Sequence, residues 1–170
     1  LTPFIEKKVA PAAKLIAHED CFVGKYYGEE YIGAPYDVEQ SLYLADCQLT
    51  AEPVAITENL WYLGEIPRKL DFEPRTVIGK RERMGEWEED GLLDDTALAY
   101  RTEKGLFIIT GCAHSGICNI IEQAKAVCGD DRILGVLGGF HLFEDDARAA
   151  ATAEYFARHN IPNLYPCHCV

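Results

Sequence analysis

His114, His141 and His168 recur at two equal intervals of 27 residues, and each follows an apolar run about as long as a short strand. Between them lie two segments with helical spacing. Residues 106–110 read as strand and Gly111 to Gly116 as a glycine-bounded turn. Ile117, Ile120, Ile121, Ala124 and Val127 then recur as one apolar face, predicting a helix over 116–128 with Ser115 as its cap. Residues 132–137 are strand-like, Gly138-Gly139 reads as their break, 145–158 predicts a second helix, and 163–166 opens a last strand. Strand, helix, strand, helix, strand is the order of a parallel α/β unit, because parallel neighbours need a long crossover between them. The carboxyl ends of such strands lie side by side, and ligands bind in the crevice outside them. One histidine per strand end therefore predicts that three imidazoles converge.

Upstream of this unit the pattern is antiparallel. Residues 96–101 and 106–110 are strand-like runs joined by Thr102-Glu103-Lys104-Gly105, a hairpin connection, and Val54, Ile56, Leu60 and Tyr62 predict a strand pair, or one bent strand, broken at Glu58-Asn59. Thr2-Pro3 predicts a short helix that Pro11 ends or bends, residues 14–17 a short buried strand, and residues 21–43, punctuated by Gly24, Gly28, Gly33 and Pro35, a loop. The acidic run Glu86, Glu88, Glu89, Asp90, Asp94 and Asp95 reads as a solvated loop. A chain of 170 residues is expected to form one domain, 1–170, and no repeat or linker divides it.

Charge narrows the partners. With 16 Lys and Arg against 28 Asp and Glu, the net charge of −12 repels phosphate backbones and anionic lipid, so neither nucleic acid nor a membrane is an expected partner. No run of about 18 apolar residues and no basic-then-apolar leader is present, so a cytoplasmic chain acting on a small molecule is the expectation. Seven cysteines is an odd number with no regular spacing, which reads as reduced thiols or metal ligands rather than a disulfide framework.

The chemistry rests on those side chains. Three imidazoles that leave one position for water make a catalytic zinc arrangement, in which the ion lowers the water's pKa toward about 7. Cys112 and Cys118 flank His114, and Cys167 and Cys169 flank His168, so a thiolate-rich zinc or iron–sulfur site, or a redox module, stands beside it. The Cys112 to Cys118 gap exceeds that of common zinc knuckles, which favours buried, small apolar roles for these cysteines. His159 reads as a residue favoured by a helix C-terminus, and His18 as a loop residue. Arg68 could pair with an anionic substrate group, and Asp95 could orient a metal ligand. Tyr26, Tyr27, Tyr31 and Tyr36 could stack on a flat ring.

Asp94-Asp95-Thr96-Ala97-Leu98, Ile109-Thr110-Gly111-Cys112-Ala113-His114-Ser115-Gly116, Gly138-Gly139-Phe140-His141-Leu142 and Pro166-Cys167-His168-Cys169 together resemble the metallo-β-lactamase superfamily. More narrowly they resemble its branch of metal-dependent hydrolases related to dihydropterin ribofuranosyl-aminobenzene phosphate synthases, which Gly64-Glu65-Ile66-Pro67-Arg68 also fits. The resemblance implies an αββα sandwich with one or two metal ions, zinc first and iron or manganese next, at an edge between its sheets. It makes His114 and His168 metal ligands. His141 stands where many members place a bridging Asp, so it is a third ligand or a donor to substrate. Two departures bear on activity. The branch's His-x-His-x-Asp-His motif is absent, and Cys169-Val170 replaces its usual Cys-Thr-Gly. The chain accordingly reads as the C-terminal portion of a longer metal-dependent hydrolase acting on a phosphoester, ester or pterin-like anionic molecule, and as inactive alone. The alternative is a noncatalytic metal-binding or assembly fragment. A sheet lacking its first half would expose an edge and associate into homo-oligomers.

Overall fold

A computed structural model describes residues 14–35, 39, 46–73 and 75–169. They fall into two units, one drawn from Leu1–Ala51 and Val77–Asp94 and the other from Glu52–Thr76 and Asp95–Val170. In the first, β1 (Lys14–Ala17) pairs in parallel with β4 (Asp46–Leu49), and it is exposed at Lys14 and half-buried over the other three residues rather than buried. A separate antiparallel sheet has the order β3-β2-β7-β8, from β2 (Lys25–Tyr27), β3 (Glu30–Tyr31), β7 (Lys80–Arg83) and β8 (Glu86–Glu89). Two loop expectations are thereby corrected: segment 21–43 contains the β2–β3 hairpin, and the first three residues of the acidic run, Glu86, Glu88 and Glu89, lie on β8 of the β7–β8 hairpin. The reason is charge pairing inside this unit. Lys25 is buried with its Nζ 3.1 Å from Asp90 and 2.7 Å from Asp94, and Arg81 pairs with Asp20 and with Glu88. Acidic residues that read as solvated are here partners of two buried cations, while Met84 and Gly85, both at positive φ, make the tight turn of the hairpin. The segment at 2–11 and Tyr36 lie outside the described residues.

The second unit holds a six-stranded sheet ordered β12-β11-β10-β9-β6-β5. Its strands are β5 (Val54–Ala55), β6 (Leu60–Tyr62), β9 (Ala97–Thr102), β10 (Gly105–Cys112), β11 (Ile133–Gly139) and β12 (Leu164–Pro166). From β5 to β10 the pairings are antiparallel and from β10 to β12 parallel, as the alternation of strands and helices predicts. The helices are α1 (Ile117–Cys128) and α2 (Ala147–Arg158). Ile117, Ile120, Ile121 and Ala124 of α1 pack with Ala97 and Ala99 of β9, Leu106 and Ile108 of β10 and Val136 of β11 in one buried core. The residues that fill it come from the period-2 and period-3.6 faces on which the strands and helices were recognised.

Gly138 and Gly139 do not break β11; they are its last two residues. A Cβ on Gly138 would sit 2.2 Å from the Thr110 carbonyl oxygen, and φ is 143° there, so only glycine lets β11 lie this close to β10. Ser115 does not cap α1 either. The cap position is Gly116, and the first-turn N–H groups of Cys118 and Asn119 donate instead to the two oxygens of buried Glu73 at 2.8 and 2.7 Å. Burial raises the Glu73 carboxyl against the pull of those two N–H groups. A carboxylate satisfying helix donors from 45 residues upstream has no local signature.

Between the helices, buried Lys125 of α1 reaches Glu122 at 2.8 Å, the Tyr155 hydroxyl at 3.1 Å and His159 Nδ1 at 3.2 Å, while Tyr155 also donates to Glu122. His159 is not a dipole-favoured cation: burial first, then Lys125, holds its pKa below the ordinary value. His18 caps a 3-10 turn, Glu19–Phe22, its Nδ1 accepting the Asp20 N–H at 3.1 Å. No helix among the described residues is long and apolar enough to cross a membrane.

Two predictions follow from these helix contacts. Glu73→Ala, which leaves two buried N–H groups without acceptors, is expected to lower unfolding free energy by about 1–3 kcal/mol in urea titration, with Glu73→Gln losing less. An unchanged midpoint for Glu73→Ala would refute the capping role. Against burial, Lys125 and Tyr155 hold the Glu122 carboxyl below its usual range. Both Glu122 and His159 are lowered in the folded chain, so their stabilisation is present above their unfolded values and lost as pH falls. Urea midpoints should drop in two stages, below the ordinary histidine range and again below the ordinary glutamate range, and His159→Gln should shrink the upper stage, to which the lowered His141 also contributes.

Candidate metal centre at the carboxyl edge of the sheet

The three histidines occupy equivalent places, each two residues beyond the last residue of its strand: His114 after β10, His141 after β11 and His168 after β12. The structure brings the first two together, with ring centroids 4.4 Å apart and tilted by 55°. His168 is exposed and lies outside the compact donor group at this edge. His141 and His168 have φ of 53° and 63°, a left-handed backbone uncommon for residues with a side chain. The loops that carry them are joined, since the His141 N–H donates to the Cys169 carbonyl at 3.0 Å.

Beside His141 lie two sulfurs. Cys112 Sγ is 3.4 Å from His141 Nδ1 and 2.7 Å from Cys169 Sγ, and one donor atom from each of the three residues falls within 4.8 Å of the others. The four-cysteine set is not assembled: Cys118 is buried in the core on α1, and Cys167 is exposed. Burial, then the facing Cys169 thiol, pushes Cys112 up to about 12. Burial followed by His114 and Arg148 lowers His141 below its ordinary value, with Asp95 pulling the other way. A lowered imidazole is neutral at pH 7, the state in which its nitrogen can ligate.

Around this group the other expected residues are dispersed. Asp95 Oδ2 accepts the Ser115 N–H at 2.6 Å, one residue past His114. Arg68 is half-buried in the segment that α1 holds through Asn119 Oδ1, which accepts from the Lys69 and Leu70 N–H groups at 2.9 and 3.1 Å. Tyr26, Tyr27 and Tyr31 belong to the β2–β3 hairpin of the other unit, where Tyr26 and Tyr27 line an open groove of about 520 Å³ with Val77 and Trp87. The cation that the sequence reading missed is Arg148. It lines a cleft of about 170 Å³ with His141, Phe143 and Asp146, and its Nε is buried without a hydrogen-bond partner among the described residues. Its signal is weak, one arginine in the first turn of an alanine-rich helix.

This edge can be compared with known proteins. A metal-dependent hydrolase of the β-lactamase superfamily matches 94% of the chain with a TM-score of 0.78 and 29% sequence identity, the chain covering 61% of that structure. A 7,8-dihydropterin-6-methyl-4-(β-D-ribofuranosyl)-aminobenzene-5'-phosphate synthase of Methanocaldococcus jannaschii is 32% identical over 125 residues. The chain belongs to the metallo-β-lactamase superfamily. An uncharacterized protein of the same organism is 35% identical over 158 residues, which is 92% of this chain. The chain spans 58% of that uncharacterized relative and 42% of the synthase. No protein-family profile matches it. The mixed α/β architecture expected from the sequence is thus the superfamily's fold.

A superfamily of metal-dependent enzymes implies an ion, and the donor chemistry here fits one. A neutral-leaning imidazole within 4.8 Å of two thiols is a set that zinc-class ions accept, whereas a histidine in an apolar setting with one hydrogen bond would not be. In chelator-treated protein at pH 8, maleimide should label exposed Cys167 well before Cys112 and core Cys118, both raised by burial. Peptide mass mapping that found Cys112 modified as fast as Cys167 would contradict the packing described.

Proposed function

We propose that the chain carries part of the active site of a metal-dependent hydrolase acting on a small, anionic phosphoester or ester. The observation that carries the reading is the meeting of the His114 and His141 rings at the ends of adjacent parallel strands. It is supported by likeness to a metal-dependent hydrolase at 29% identity. His114 and His168 are the proposed metal ligands, with His141 completing the imidazole group, and zinc is the proposed ion. When bound, it supplies a water of lowered pKa and polarises the substrate oxygen.

The chain's own residues do the rest. Asp95, bonded to the Ser115 N–H, holds the turn that presents His114. Arg148, in the cleft with His141, offers a half-buried guanidinium to a phosphate or carboxylate, and Arg68 is a second cation for that task. Likeness to a synthase whose name ends in a 5'-phosphate favours a phosphate-bearing substrate. A second reading, a noncatalytic metal-binding or assembly module, is favoured by the absence of a His-x-His-x-Asp-His motif from these 170 residues.

The test combines metal content and ligand binding. Protein purified without chelator should retain close to one ion per chain, and His114→Ala should lose most of it. With metal present, calorimetric binding of phenyl phosphate should weaken by about tenfold in Arg148→Ala, because a charge-assisted contact is removed. Metal retention without any binding of the phosphate would select the noncatalytic reading, and full metal content in His114→Ala would reject the histidine site.

A further inference from the structure

We propose that Cys112, His141 and Cys169 form a sulfur-rich site for a soft divalent ion of the zinc and cadmium class, sharing His141 with the imidazole group and adding two thiolates that superfamily membership does not assign. The inference rests on the metal-binding reading of this edge and is independent of hydrolysis.

The first support is topological. β10 and β12 are not neighbours; β11 lies between them. Adjacent strands are about 4.8 Å apart, so the two outer strands are separated by roughly twice that. Cys112 closes β10 and Cys169 lies three residues past the end of β12, so their side chains meet only across the end of the central strand. Residue 139 of β11, the register partner of Cys112, is a glycine, and a Cβ there would stand 2.5 Å from Cys169 Sγ. The sulfurs therefore meet through a gap that any other residue would close.

The second is donor geometry. An ion bound tetrahedrally at Zn–S and Zn–N lengths holds sulfur and nitrogen about 3.6 Å apart and two sulfurs about 3.8 Å apart. Cys112 Sγ and His141 Nδ1 are already at 3.4 Å. The sulfurs, at 2.7 Å, need to part by roughly 1 Å. That movement falls on the segment after β12, which the His141 N–H holds to the Cys169 carbonyl at 3.0 Å. Two thiols this close cannot both ionise unless a cation stands between them. With a divalent ion, two thiolates and a neutral imidazole make a neutral group of three protein donors with one open position, and soft sulfur ligands select zinc or cadmium over manganese.

The experiment is an anaerobic titration of the reduced 170-residue chain with Co²⁺, then displacement by Zn²⁺ or Cd²⁺. One Co²⁺ per chain should bind with an intense sulfur-to-cobalt charge-transfer band in the near ultraviolet. Cys112→Ser and Cys169→Ser should each remove that band and weaken binding by about tenfold or more. Cys167→Ser and His168→Ala should keep it, and far-ultraviolet circular dichroism identifies any variant that fails to fold. Co²⁺ bound without the band, lost in His114→Ala but retained in Cys112→Ser, would overturn this site while leaving the histidine reading intact. No Co²⁺ bound at all would overturn both. A chain that has lost the mass of two hydrogens, with Cys112 and Cys169 joined, and that binds no ion after reduction would assign the pair to a disulfide instead.

Discussion

Everything at the carboxyl edge depends on how closely β11 can lie between its two parallel neighbours. Backbone sterics set that limit, and two consecutive glycines relax it. At Gly138 a side chain would run into the Thr110 carbonyl of β10, and at Gly139 it would run into the Gly111 carbonyl and the Cys169 sulfur. With those atoms absent, β10, β11 and β12 end level with one another, and the residues that follow them turn over the same patch of sheet. The histidines and sulfurs are placed by this packing before any contact among themselves is counted.

The parallel half of the fold was legible because its signals are local and repeated. Isoleucines at helical spacing marked α1, short apolar runs marked β10, β11 and β12, and equal intervals put a histidine after each strand. Gly138-Gly139 was misread as punctuation because glycine signals both a turn and a close approach, and only the neighbouring strand distinguishes them. Ser115 was misread as the cap of α1 for a related reason: a nearby hydroxyl is visible in sequence, whereas Glu73 acts from 45 residues away. The acidic run was taken for a solvated loop because its counter-charges, Lys25 and Arg81, become its partners only once β2, β7 and β8 are paired.

At the candidate site the sequence reading found the residues better than their grouping. His114 and His141 do converge, and the structure joins His141 to Cys112 and Cys169, with His168 exposed on the segment that follows β12. Alternation along an extended strand would have sent Cys169 away from the others. β12 ends at Pro166, and His168 turns into left-handed backbone, so the alternation stops two residues before it is needed. Arg148 was missed because nothing in an alanine-rich helix separates a cleft-lining arginine from a solvated one.

The cluster of Glu122, Lys125, Tyr155 and His159 has a consequence for how this chain can diverge. Each member compensates the others: the ammonium needs the carboxylate, the phenol bonds to the carboxylate, and the imidazole stays neutral beside the ammonium. Replacing Glu122 alone leaves the buried Lys125 ammonium without its carboxylate. A lineage can exchange this cluster for an apolar contact between α1 and α2 only through several linked substitutions, so the two helices are tied by shared history as well as by packing.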